Sequence, residues 1–183
     1  MSQPSPGLLS VIRIIDRFTG AMGNAVSWLM VPLVIAVTYE VLARYLFHAP
    51  TSWAYDVTYM LYAAIFMLGA AFALLKGAHI RADMLWEKYS VRTKGVVDSI
   101  AYLLFFFPGL ALLFWTSLDD AIYAFEIGER SEQTAWRPIL WPFKAIVPVT
   151  AAGLMIQGVS ELLKSLYAAR TGRMIEHKAS SQV

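Results

Sequence analysis

Four stretches of about twenty or more mostly apolar residues, parted by charged connectors, constrain this chain more than any other feature of its sequence. They run from about Gly20 to Ala43 (GAMGNAVSWLMVPLVIAVTYEVLA), Trp53 to Leu75 (WAYDVTYMLYAAIFMLGAAFALL), Val96 to Leu118 (VVDSIAYLLFFFPGLALLFWTSL) and Pro142 to Leu163 (PFKAIVPVTAAGLMIQGVSELL). A helix needs about 20 such residues to cross the hydrocarbon core of a bilayer. Backbone amides find no water there, so a spanning segment is a helix or part of a closed barrel. The period-two alternation of a barrel strand is absent. The pattern predicts an all-α membrane protein, one integral membrane domain over residues 1–183, with spans at 20–43, 53–75, 96–118 and 142–163. Flexible ends are expected at about 1–7 and 172–183. Composition agrees: 58% hydrophobic residues and a mean hydropathy of +0.55 are too apolar for an ordinary soluble domain of this size.

The basic residues orient the spans. Arg13, Arg17, Lys76, Arg81, Lys88, Arg92, Lys94, Lys164, Arg170, Arg173 and Lys178 fall on one side, eleven against the four (Arg44, Arg130, Arg137, Lys144) on the other. The positive-inside rule then places both termini in the cytoplasm. Two amphipathic stretches on that side read as helices lying in the interface. One is N-terminal, with Leu8, Leu9, Val11, Ile12, Ile15 and Phe18 beside Arg13, Asp16 and Arg17. The other, IRADMLWEKYSVRTKG, mixes Ile80, Met84, Trp86 and Val91 with charges that can snorkel to lipid phosphates. The N-terminus lacks a compact charged-then-apolar pattern with a small-residue cleavage site and reads as retained.

The connector DDAIYAFEIGERSEQTAWRP carries Asp119, Asp120, Glu126, Glu129 and Glu132 on the outer side. Leu118, Ile122 and Phe125 fall on one helical stripe, so the third helix is expected to continue to Gly128 as its C-terminal cap. The plainer reading of the connector is a solvated acidic loop.

Enzyme chemistry finds little purchase. His48, His79 and His177 are the only histidines, all outside the apolar cores and none in an HExxH or a cross-helix pair that would ligate haem or a catalytic metal. With no cysteine, disulfides, iron–sulfur clusters and thiolate zinc sites are excluded. Nucleotide-binding glycine loops and nucleophile motifs are also missing. The reading is of a chain with no catalytic role, cofactor or metal. A net charge of +2 without a basic stripe is too small to imply a nucleic-acid partner, and none is expected.

The polar residues that remain are those of the rims. Glu40 and Arg44 have the favourable order for a helical ion pair, and Asp56 opens the second span a short connector later. These three either neutralise one another and brace the first hairpin or line an ion or substrate path. Gly69, Ala73 and Gly77 recur at four-residue steps, a face for close approach within the bundle or by another subunit. Pro32, Pro108 before Gly109, and Pro148 are candidate kinks. Trp53, Trp86, Trp136 and Trp141 are interfacial anchors. Asp98 and Glu161 are expected to pair with Lys94, Lys76 or Lys164. No translocation path of the chain's own is evident, since paired discontinuous polar segments are missing.

Three segments, YEVLARYLFHAPTSWAYDV, LGAAFALLKGAHIRADML and WRPILWPFKAIVPVTAAGLMIQGVSELL, in this order around four spans, resemble the small membrane subunit (DctQ type) of tripartite ATP-independent periplasmic (TRAP) transporters. The similarity extends from about Ile12 to Leu166 and is most specific at Glu40 with Arg44, Trp53, and Gly77-x-His79-x-Arg81-x-Asp83. Pro142, Lys144 and Pro148 match the start of the fourth span, while Asp56 stands where the family pattern has Glu. The resemblance implies a sodium-driven importer of organic anions, typically carboxylates, in the bacterial inner membrane. In it a periplasmic solute-binding protein delivers the solute and a large membrane subunit carries the substrate and sodium sites. The small subunit stabilises the large one and lends part of the outer docking surface, here the rim of Glu40, Arg44, Trp53, Asp56, Glu126 and Glu129. His79, Arg81 and Asp83 would organise the cytoplasmic turn after the second span, beside Trp86, and contact lipid phosphates or the partner subunit. The competing reading is a free-standing four-helix membrane channel or assembly factor.

Overall fold

The computed structural model describes residues 5–77 and 89–175, which are helical apart from their connectors and one isolated antiparallel bridge between Arg130 and Ile139. Helix α1 (Pro6–Ser27) starts where the Ser5 hydroxyl accepts the Leu8 amide at 3.4 Å. Pro6 takes the first helical position, where its missing N–H costs nothing. Helix α2 (Met30–Tyr45) follows almost at once. The break at Trp28 and Leu29 has a local cause. Pro32 cannot donate to the Trp28 carbonyl four residues back, and Val31 bonds it instead at 3.1 Å. The N-terminal amphipathic stretch, expected as a separate element ahead of a span beginning at Gly20, is instead the first part of α1. It packs against the helices described next as α3 and α7.

Helix α3 (Ala54–Leu75) ends at Gly77, whose φ of +67° is the left-handed conformation that favours glycine. Helix α4 (Val91–Ala101) is capped by the Ser90 hydroxyl, which accepts the Thr93 amide at 3.2 Å. It runs through a π-helical turn (Tyr102–Phe106) into α5 (Phe107–Glu126). That wide turn lies immediately before Pro108 and accommodates the proline without a sharp break. Helix α5 stops at Gly128, φ +62°, where the spacing of Leu118, Ile122 and Phe125 predicts its end. Helix α6 (Trp141–Lys144) is one turn long and leads into α7 (Ile146–Thr171). The interruption at Ala145, between α6 and α7, falls three residues before Pro148, which cannot donate to the Lys144 carbonyl four residues back, as Pro32 cannot to that of Trp28.

Helix α7 is the hub: α1, α3, α4 and α5 all pack on it, while α2 leans on α3. Many of the contacts are made by small residues. Ala36, Ala64, Ala71, Ala121, Ala124, Ala151 and Ala168 are buried, whereas Phe66, Phe105 and Leu112 are 70%, 75% and 70% exposed. Water would reward the reverse arrangement. In lipid there is no gain from burying a large apolar side chain, and close van der Waals contact between backbones decides the packing. Gly95 shows how close that contact is, since a Cβ there would stand 2.4 Å from the Ala169 nitrogen and 2.6 Å from the Ser165 carbonyl oxygen. Four helical segments, Pro6–Tyr45, Ala54–Leu75, Val91–Glu126 and Trp141–Thr171, are long and apolar enough to cross a membrane.

Candidate functional site

Polar side chains gather at the two ends of the bundle. At the first end, α2 turns back into α3 and the connector from α5 to α6 folds over the same corner. Glu40 Oε1 accepts from Arg44 Nε at 2.9 Å, one helical turn on. Its other oxygen takes the Thr51 amide at 3.0 Å and also the Thr51 hydroxyl, so one carboxylate ties α2 to the hairpin loop. Trp53 stacks on Tyr39 with ring centroids 5.7 Å apart, which closes the same hairpin from its apolar side.

Asp56 does not join Glu40 and Arg44, as its position in sequence led one to expect. It is fully buried, and its carboxylate reaches across to the far connector. Ser131 Oγ donates to Oδ1 at 2.7 Å and the Thr134 hydroxyl donates to Oδ2. The connector is no loose acidic loop. Ser131 N bonds Pro138 O at 2.8 Å and Leu140 N bonds Glu129 O at 2.9 Å, which makes a small hairpin around the Arg130–Ile139 bridge. Lys144 pins its base, 2.8 Å from Glu129 and 3.1 Å from Asp120. Glu129 is thereby committed to an internal pair, while Glu126 lies exposed on the rim.

At the other end α1 meets α7 through ionised groups. Lys164 Nζ lies 2.9 Å from Asp16 and 2.7 Å from Glu161. Ser160 Oγ donates to Asp16 at 2.7 Å, and Gln157 Nε2 donates to both Asp16 and Glu161 at 3.1 Å. Gln157 and Ser160 are completely buried. The expected pairing of Glu161 with Lys164 is present. The part played by Asp16, Gln157 and Ser160 was not foreseen. Its signal was in the sequence all the same: positions 157, 160, 161 and 164 carry a polar stripe at helical spacing inside an apolar span.

The small-residue face divides. Gly69 and Ala73 lie on α3, and a Cβ at Gly69 would meet nothing within 4 Å, so that side is open. Gly77 is not on the face, because the helix has ended at Leu75 and Gly77 makes the left-handed turn after it. His79, Arg81, Asp83 and Trp86, with most of the expected interfacial helix, lie outside the described residues. Among the described residues no group of three or more His, Cys, Asp or Glu side chains is placed to hold a metal ion.

The family model described as tripartite ATP-independent periplasmic transporters, DctQ component, matches residues 33–168. That range includes the first-end rim and α7 through Ala168, and omits Asp16. Neither a curated protein nor a solved structure matches the chain.

Proposed function

This chain belongs to the DctQ family, the small membrane component of tripartite ATP-independent periplasmic transporters, and from that premise we propose that it braces a large membrane subunit without catalytic activity. It is a multi-pass membrane protein of a transport system. In the proposed assembly it lies in the bacterial inner membrane with both termini cytoplasmic, because the basic residues favour that side. The transporter is read as a sodium-coupled importer of organic acids, supplied by a periplasmic solute-binding protein. The rim of Glu40, Arg44, Trp53 and Glu126 faces outward, where connectors cross-tied beneath it by the buried Asp56 offer that protein a firm surface. Gly69 and Ala73 face a neighbour in the membrane, and His79, Arg81 and Asp83 serve the cytoplasmic turn with lipid or the large subunit.

The observation that carries this reading is the family match over 33–168. The bundle's character supports it: charged groups are spent on tying helices and connectors to one another. The test is co-expression of the tagged chain with its genomic neighbours, followed by purification and reconstitution. A larger polytopic protein should co-purify, and sodium-driven uptake of a carboxylate should require both chains and the binding protein. Solute flux through vesicles holding this chain alone would overturn the proposal and favour a free-standing channel.

A further inference from the structure

Arg92, in the first turn of α4, reaches the far end of α7, where its Nη2 donates to the Arg170 carbonyl at 3.3 Å. The two helix ends come this close because Gly95 lets the backbone of Ser165 to Ala169 pass against it. Arg173 follows just past Gly172, the cap of α7, so three exposed arginines share one corner of the bundle. None makes an ion pair among the described residues. Asp98, the one acid of α4, is turned about 120° from Arg92 at 100° per residue, and Glu161, the one acid of α7, is paired with Lys164. The carbonyl end of α7 favours a cation beside it. The amide end of α4 does not, and it has no acid in its first turn to offset the arginines.

The helix below the corner shows what it faces. Arg92, Val96, Ile100 and Leu103 fall within about 80° of one another around α4 and its continuation. The three apolar members are 44%, 50% and 53% exposed, in a helical segment long and apolar enough to cross a membrane. Val96 stands about 6 Å along the axis from Arg92, the depth of one headgroup layer. Leu103 stands about 16 Å from it, close to half of a hydrocarbon core of about 30 Å. Tyr89, beside the cap of α4 and exposed, is of the residue type that gathers at the membrane surface. A soluble anion would use the arginines and leave the apolar stripe idle, whereas a phospholipid fits both ends of it.

We infer that the α4–α7 corner is a binding site for an anionic phospholipid, with the phosphate held by Arg92, Arg170 and Arg173 and an acyl chain laid along Val96, Ile100 and Leu103. Guanidinium suits this role because its planar fork offers paired N–H donors to phosphate oxygens. Arg92 spends only one of its five on the Arg170 carbonyl. The site needs a bilayer and this chain alone, so it goes beyond the subunit reading and does not depend on it.

The test measures, by mass spectrometry of extracted lipid, the phosphatidylglycerol and phosphatidylethanolamine that stay with the full chain when it is purified from bacterial membranes. In a variant carrying Arg92→Gln, Arg170→Gln and Arg173→Gln, phosphatidylglycerol per chain should fall at least about tenfold, given roughly fivefold in affinity for each basic residue at an anionic surface. Phosphatidylethanolamine should not fall. A control with Arg13→Gln, Arg17→Gln and Lys76→Gln, which removes the same charge from α1 and the end of α3, should keep its phosphatidylglycerol. Equal losses in the two variants overturn the site in favour of diffuse attraction, and undiminished retention in the corner variant overturns it outright. A corner variant that keeps its lipid but loses a co-purifying larger protein assigns the arginines to a carboxylate of that protein instead. The unaltered chain supplies a second measure: added phosphatidylglycerol should raise its midpoint of thermal unfolding in detergent, and phosphatidylcholine should not. An equal response to both lipids, or a matching rise with inorganic phosphate alone, overturns the lipid site.

Discussion

Ser131 donates a hydrogen bond of 2.7 Å to Asp56 across 75 residues of sequence, and this joins the α2–α3 hairpin to the α5–α6 connector at a point with no access to solvent. A carboxylate suits the position because both its oxygens must accept, one from Ser131 and one from Thr134. Its short side chain fits a site that is already closed.

Asp56→Ala should therefore leave two hydroxyls without their acceptor, the buried one of Ser131 and the half-buried one of Thr134. The expected loss is about 1–3 kcal/mol of stability. It would be read as a lowered midpoint of thermal unfolding of the purified complex, with Asp56→Asn intermediate because one acceptor remains. An unchanged midpoint for Asp56→Ala would show that the connector is held by other contacts.

The α1–α7 cluster makes a contrasting case. Lys164 is 14% exposed and sits between two carboxylates that are each 15% exposed. Lys164→Met should cost on the order of 3 kcal/mol, because it leaves Asp16 and Glu161 facing one another without their cation. Neutralising all three, in a variant carrying Asp16→Asn, Glu161→Gln and Lys164→Met, should recover most of that loss. Thermal unfolding in detergent or nanodiscs distinguishes the two. If the triple variant is no better than the single one, the cluster's worth lies in shape rather than charge.

Packing at the α4–α7 crossing should tolerate almost nothing. Gly95→Ala drives a methyl group into the backbone of Ser165 to Ala169, which cannot rotate away. The folded yield is expected to collapse. Gly109→Ala on α5 meets no atom within 4 Å and should be accepted, with slightly firmer helix as the only effect. Gly158→Ala lies between them, since the obstacle there is the Phe106 ring, 2.5 Å away. Monodispersity on size exclusion ranks the three.

Docking at the rim should respond to Glu126, which is exposed and makes no ion pair among the described residues. Glu126→Lys is expected to change binding-protein-dependent uptake severalfold at low ionic strength, and the difference should fade toward 1 M salt, where the screening length falls to about 3 Å. Glu129→Lys is the less informative variant, since it also breaks the pair with Lys144. Uptake in which Glu126→Lys matches the unaltered chain at every salt concentration would exclude this part of the rim from docking.

Much of this architecture was legible in the order of residues alone, and the reasons are local. Four apolar runs mean four long helices because lipid leaves the backbone no other way to bond. Gly128 could be foreseen as the end of α5, Glu161 as a partner of Lys164, and Glu40 as a partner of Arg44, since each involves neighbours within a turn or two. Tertiary structure alone decided which distant groups meet. Asp56 looked toward Arg44 in sequence and went to Ser131 and Thr134, because an aspartate at the start of α3 faces whatever connector folds over that corner. Asp16 read as part of a surface helix and became the anchor of α1 on α7. Periodicity fixes a residue's angle around its own helix. Which helix stands at that angle depends on how small residues let backbones approach, and that is settled only when the bundle closes.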